Sequence, residues 1–363
     1  MKLVSLVKTF AFVSVFCPII VLAEPIKIGI PLALTGDLAE CGTEMKNALL
    51  LENEMLGNNK YDLLIQDDQC SNKEAISIAR KFIDQDKVKY TLGFMCNQTL
   101  IASAPVYDRS DIYVFSGSGT SGDIHTLGKK NFRFFPADLF GAFRLFKYLN
   151  GRVKSLAILT EQSEYAVMMD RSFKKENDKF GSPISIQSYQ FLPSDLDLRT
   201  MLLKIKSSAI DGLYINADSD TSYLNIIKQL SAIGFPKSLY TVYLAGSEVA
   251  LSSAPELNNK VIFSNLPKIN NLISVKGKTI LEEYSARFGI PKCGFPVVPT
   301  TLEAFRVLDL LVSGKLTFED LGAGKKIEDG FLPPYSFDDG GNIQGFQFEM
   351  QHIKDGKVEL LEK

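Results

Sequence analysis

Basic charge in excess, histidine and long apolar runs are all scarce in this chain. Its 40 lysines and arginines face 42 aspartates and glutamates, a formal net charge of −2, so it has no basic stripe for a phosphate backbone and no nucleic acid partner is expected. Histidine occurs only as His125 and His352, in no zinc-binding spacing, and there is no Walker-type phosphate loop. A nucleophile elbow is missing too. The run Ser116-Gly117-Ser118-Gly119-Thr120 has the wrong flanking residues for Gly-x-Ser-x-Gly. No catalytic residue, metal or cofactor is therefore expected. The absence of low-complexity tracts, heptads and repeats of roughly 20 to 50 residues excludes solenoids and coiled coils.

One long apolar run is present, at the start. Lys2 and Lys8 precede an apolar stretch from Phe10 to Leu22, and Val21-Leu22-Ala23 stands before Glu24-Pro25. That pattern is a signal peptide cut after Ala23, so an exported chain is expected. Cys17 follows Val15-Phe16 where a lipoprotein site needs small residues, and no lipid anchor is expected. The remaining chain, about 340 residues, is too long for one ordinary core and reads as two domains.

Strands and helices alternate through most of it. Strands are expected at Ile26 to Leu32, Tyr61 to Gln66, Val88 to Phe94, Ile112 to Phe115, Ser155 to Leu159, Ile184 to Tyr189, Gly212 to Ile215, Leu239 to Leu244 and Val261 to Phe263, with helical patterns between them. Such alternation means parallel sheets covered by helices on both faces, an α/β class with doubly wound sheets. Past Asn265 two helices come without clear strands between them. A turn at Asp338-Asp339-Gly340-Gly341 and an alternating strand, Gly345 to Ile353, end the chain.

Within one strand-helix-strand unit, Cys70 ends the first strand and Cys96 the second. Parallel pairing puts both on the same sheet edge, where open α/β sheets bind ligands. A bridge between them is in reach directly or across one intervening strand; two free thiols are the other reading.

The opening Ile26-Lys27-Ile28-Gly29-Ile30, the Thr35-Gly36 loop, Asp67-Asp68-Gln69-Cys70, Leu92-Gly93-Phe94-Met95-Cys96, Tyr335-Ser336-Phe337-Asp338-Asp339-Gly340-Gly341 and Gly345-Phe346-Gln347-Phe348 together resemble the leucine/isoleucine/valine-binding proteins. These are periplasmic solute receptors of ABC importers. The resemblance spans essentially the whole mature chain. It implies two Rossmann-like lobes joined by three hinge crossings, the periplasmic binding protein type I fold, with residues 24–137 and 270–331 in one lobe and 138–269 and 332–363 in the other. It also implies a periplasmic location, a small amino acid as ligand, an inner-membrane permease as partner, and a monomer. Alternatives in the same fold are a sensor and a binder of amides or small organic acids; a periplasmic hydrolase is a further one.

An amino acid needs donors for its carboxylate and acceptors for its ammonium, since an unpaired charge in a closed cleft costs several kcal/mol. For the first, the resemblance points to Asn97, Ser118, Gly119 and Thr120; for the second, to Glu248 in the other lobe and to Asp138, which is also placed to cap a helix. Tyr165 matches a tyrosine covering the bound solute. Three positions depart from the family: Cys41 stands for a first-loop aromatic, Ser219 for a second cleft tyrosine, and Val297 for a phenylalanine of the side-chain pocket. With Asp138, Asp218, Ser219 and Glu248 nearby, a polar ligand side chain fits as well as a branched aliphatic one. Cys41 and Cys293 both fall near the cleft in the first lobe, and a bridge between them is one of the pairings four cysteines allow.

Overall fold

The structure, a computed structural model, describes residues 24–57, 60–293 and 295–362; the expected signal peptide, residues 1–23, lies outside them. The first sheet holds β1 (Ile26–Leu32), β2 (Tyr61–Asp67), β3 (Tyr90–Gly93), β4 (Tyr113–Ser116) and β5 (Asn131–Arg133), parallel throughout in the order β2-β1-β3-β4-β5. Helices α1 (Ala39–Leu56), α2 (Asn72–Lys81) and α3 (Asn97–Asp108) connect these strands. Residues 28–32 of β1 are all buried, as a central parallel strand covered on both faces requires. Ser71 caps α2 by accepting the Glu74 N–H, which starts the helix where the chain leaves the sheet edge.

The second sheet begins with β6 (Ser155–Glu161), β7 (Ser185–Phe191), β8 (Gly212–Asn216), β9 (Ser238–Val242) and β10 (Val261–Asn265). These parallel strands run in the order β10-β9-β8-β6-β7. Helices α4 (Leu139–Leu149), α5 (Glu164–Lys179), α6 (Arg199–Ser207), α7 (Asp220–Ala232) and α8 (Glu248–Ser253) accompany them. The chain then returns to the first sheet with α9 (Val275–Phe288), α10 (Val297–Val312) and α11 (Phe318–Gly322). A small hairpin, β11 (Ser336–Phe337) and β12 (Ile343–Gln344), closes around the expected turn. Finally β13 (Glu349–Lys354) and β14 (Lys357–Glu362) add antiparallel strands beside β10.

Residues 332–344 differ from expectation, which placed 332–363 together in the second lobe. Leu332, Tyr335, Phe337 and Ile343 are buried in the first core. Phe337 packs edge-on against Phe132 and Phe134, with ring centroids 5.4 and 5.0 Å apart, and the Arg133 N–H donates to the Gly341 carbonyl at 2.8 Å. A Cβ on Gly341, where φ is +75°, would fall 1.8 Å from the Asn131 carbonyl oxygen, so this close docking needs glycine. Three segments link the two halves, and they pack on each other: Phe135 from the first, Leu266 and Leu272 from the second, and Phe348 from the third form one small apolar cluster.

Both cysteine pairs are disulfides. Cys70 and Cys96, with Cα atoms 5.6 Å apart, bridge the loops after β2 and β3 across the intervening β1, the second of the two geometries open to them. Cys41 and Cys293, with Cα atoms 5.0 Å apart and 252 residues apart in sequence, join α1 to the segment between α9 and α10. The Glu44 carboxylate reinforces this link by accepting the N–H groups of Lys292 and Cys293. Replacing Cys41 and Cys293 by serine is expected to lower the unfolding free energy by about 2–5 kcal/mol. Urea denaturation with Cys70–Cys96 intact measures this; a change within about 0.5 kcal/mol would mean the link does nothing for stability.

Candidate ligand-binding site

The C-terminal ends of both parallel sheets face one cavity of about 350 Å³, at the edge where such sheets hold ligands. The first lobe supplies Met95, Cys96, Asn97 and Gln98 around the start of α3, and Ser118, Gly119 and Thr120 after β4. The second supplies Tyr165 on α5, Ala217 and Asp218 after β8, Val242 at the end of β9, and Tyr243 and Leu244 after it. Asp138 at the first crossing, Leu38 before α1 and Phe295 before α10 complete the wall.

One end is rich in donors. The first N–H groups of α3 have no acceptor within the helix and point out of its N-terminus, a ready anion site. The Asn97 side chain does a different job: its Oδ1 accepts the N–H groups of Thr120 and Ser121 at 2.7 and 3.1 Å, and its Nδ2 donates to Thr120 Oγ1 at 3.3 Å. Asn97 thus shapes the 118–121 loop. Behind the loop the buried Arg133 guanidinium donates to the carbonyls of Gly119 and Ser121 at 3.3 and 2.6 Å and to Asn342 Oδ1 at 2.6 Å. Ser118 and Thr120 remain at the surface of the cavity.

The other end is rich in acceptors. Asp138 stands at the N-cap position of α4 without making a cap hydrogen bond; its Oδ1 accepts the Tyr243 hydroxyl at 2.7 Å instead. Burial pushes its carboxyl from 3.8 up to about 6, while the Thr120 and Tyr243 hydroxyls and Arg133 pull the other way. Tyr243 takes the pose at a backbone φ of 63° and ψ of −73°, a conformation tyrosine rarely adopts and one typical of functional turns. Asp218 is likewise shifted upward, first by burial and then by the Glu161 charge. Burial also raises Tyr165 and Tyr243 well above the usual phenol range, so both are neutral hydroxyls. Among the described residues, no lysine, arginine or histidine lines this cavity.

A family model described as periplasmic binding protein matches residues 25–293. The chain belongs to the periplasmic binding protein family. Over 338 residues, covering 90% of each chain, it is 22% identical to the Leu/Ile/Val-binding protein of Escherichia coli strain K12. Among solved structures it resembles a branched-chain amino acid transporter substrate binding protein of Streptococcus pneumoniae in complex with isoleucine, with TM-score 0.71, 19% identity, and 94% and 100% of the two chains covered. It also resembles a solute binding protein of an ABC transporter from R. palustris in complex with benzoate, with TM-score 0.69, 16% identity, and 93% and 96% covered. Both structural likenesses are of fold, the two-lobed α/β architecture expected from the sequence.

In this periplasmic binding protein the cavity gathers Asn97, Ser118, Gly119, Thr120, Asp138 and Tyr165. Three other expected wall residues lie elsewhere. Cys41 is bonded to Cys293 and buried in the first core; Val297 is fully buried in the same core at the start of α10; Ser219 caps α7, its hydroxyl accepting the Ser222 N–H at 3.1 Å. Each is held by packing, a bond or a cap that turns it from the cleft. Glu248 opens α8, and its side chain lies outside the described part. Tyr243, Leu244 and Phe295 were not anticipated as cleft residues. Tyr243 carried a signal, since it falls in the expected strand Leu239 to Leu244, on the ligand-binding edge; Phe295 sits in an irregular segment and carried none.

Replacing Tyr243 with phenylalanine removes a hydrogen bond that favours ionised Asp138. The Asp138 carboxyl is then expected to titrate above its present value of about 6, followed by carbon-13 NMR of the carboxyl signals; an unchanged or lower midpoint would contradict the contact. Asn97→Ala leaves the Thr120 and Ser121 N–H groups without their acceptor. It is expected to cost about 1–3 kcal/mol of stability by urea unfolding.

Proposed function

We propose that this chain is an exported periplasmic receptor that captures a free amino acid between its lobes and delivers it to an inner-membrane ABC permease, acting as a monomer without catalysis. The observation that carries the ligand class is the charge layout of the cavity: a helix N-terminus and hydroxyls on the first lobe, Asp138 beside Thr120 at the crossing, Asp218 on the second lobe and, among the described residues, no cationic side chain in the wall. The ligand carboxylate sits at the start of α3 with Ser118 and Thr120. Its ammonium meets Asp138, with Tyr165 and Tyr243 around it. The relative named for leucine, isoleucine and valine and the neighbour bound to isoleucine support this reading.

The neighbour bound to benzoate represents the organic-acid alternative. Such an anion would satisfy the α3 end but bring no cation to Asp138, whose one nearby positive charge is the Arg133 guanidinium behind the loop, and would leave Asp218 without a counter-charge once the cleft closes over it. The layout therefore favours a ligand with a cation. Because the donors belong to one lobe and most acceptors to the other, the ligand pairs with both only when the cleft is closed, and binding shifts an open-closed population. The positively charged start Met1 to Ala23 supports export.

A thermal-shift screen of the mature chain against amino acids, amides and organic acids tests the reading. A ligand at 100 times its dissociation constant adds about 2.7 kcal/mol; a response confined to amides or acids would sink the amino acid assignment. The shift should also depend on pH. With its carboxyl raised to about 6 from 3.8, Asp138 favours the empty folded state at low pH, and that contribution is lost as pH rises through about 6. An ammonium selects the ionised form, so ligand-induced stabilisation should grow between about pH 5 and pH 7; a flat profile would remove Asp138 from ammonium binding. Asp138→Asn is expected to cost about 2–5 kcal/mol of affinity. Calorimetry of Asp138→Asn beside Glu248→Gln identifies the ammonium partner by the larger loss, expected at Asp138.

A further inference from the structure

We infer that the amino acid this cleft selects is basic, a methylene stem ending in a cation, and that Asp218 is the residue that selects it. The inference rests on the cleft being an amino acid site and names the side chain it takes. One carboxylate suffices for the α-ammonium. Asp138 fills that role, because its neighbour Thr120 belongs to the carboxylate cradle and so places Asp138 beside the α-carbon. Asp218 is then left over, on the wall across from the cradle.

Nothing in the wall neutralises it. Among the described residues, no cationic side chain lines the cavity, and the nearest acidic neighbour makes the charge worse. The Asp218 N–H donates to Glu161 Oε2 at 2.7 Å, and Glu161 also accepts the Ser222 hydroxyl at 3.0 Å, which holds a second, 3%-exposed carboxylate directly behind the first. Asp218 is exposed to solvent in this structure and hydrogen-bonded to Ser163; a neutral aliphatic side chain that covered it on closure would remove its water and supply no counter-charge. A cation would supply one.

The apolar surfaces also fit a stem. Leu244 and Phe295 line both this cavity and a second one of about 690 Å³ that opens beyond them. They present a hydrophobic passage for methylene groups whose charged end stays in polar surroundings. Lys268 and Asp220 both line the outer cavity and offset each other there, whereas Asp218 lines the inner cavity with no cationic side chain beside it among the described residues. Cys41–Cys293 fixes this passage, since it joins the turn after Leu38 to the segment two residues before Phe295.

Calorimetry of the mature wild-type chain with L-lysine and with L-norleucine, the same stem without the terminal ammonium, tests the inference. Lysine is expected to bind at least about tenfold more tightly, equal to about 1.4 kcal/mol, and Asp218→Asn should bring the ratio near one. Equal or tighter norleucine binding by the wild type overturns the inference while the amino acid reading stands. Lysine preference that survives Asp218→Asn overturns the assignment to Asp218. Should no amino acid bind the wild type, the amino acid reading falls and this inference with it. The wild-type comparison decides the ligand class even if Asp218→Asn does not fold.

Discussion

One buried guanidinium organises the cleft. Arg133, at the end of β5, points its donors at the carbonyls of Gly119 and Ser121 and at Asn342, and its own N–H meets Gly341. It therefore ties together the 118–121 loop, the small hairpin and the first crossing. Burial lowers its pKa to about 10, still far above neutrality, so the charge is permanent and must be compensated. Loop carbonyls and the nearby Asp138 supply that compensation. Losing a partner in such an arrangement typically costs about 3–5 kcal/mol, which makes the loop rigid where a glycine-rich segment would otherwise move.

Rigidity on one side lets the other side move usefully. The 118–121 loop is held by Asn97 in front and Arg133 behind, while disulfides pin the loops after β2 and β3 and the segment bearing Phe295. The second lobe meets this platform through three crossings that share a small apolar cluster. A cluster of this size can keep the crossings together while their backbone angles change, the usual form of a hinge. On the proposed amino acid reading, complementarity is split across the cleft: neither lobe alone satisfies both ends of a zwitterion.

Much of this was legible from residue patterns. Strand-helix alternation yields the parallel sheets, because central strands buried on both faces must be apolar and their crossovers amphipathic. The positions of Cys70 and Cys96 follow from that alternation, since each lies where an expected strand ends at one sheet edge, whereas Ser118, Thr120 and Asp138 were pointed to by the family resemblance. Some positions without such an anchor were misjudged. Val297 and Cys41 lie in first-lobe segments near the cleft, yet side-chain direction there depends on how α1 and α10 pack, and both turn into the core. Residues 332–344 carry aromatic residues that suit either lobe; the match between Phe337 and the faces of Phe132 and Phe134 decided for the first.

The sequence by itself determined the fold class and the strand-helix order that puts Cys70 and Cys96 at one sheet edge. Local patterns suffice for these because period and turn chemistry are properties of neighbouring residues. Tertiary structure alone decided that Cys41 pairs with Cys293 across 252 residues, that Asn97 supports the loop, that Tyr243 bonds Asp138, and that Glu161 accepts the Asp218 N–H. Each of these is a contact between residues far apart in the chain, and its existence depends on sub-ångström placement that no local pattern encodes.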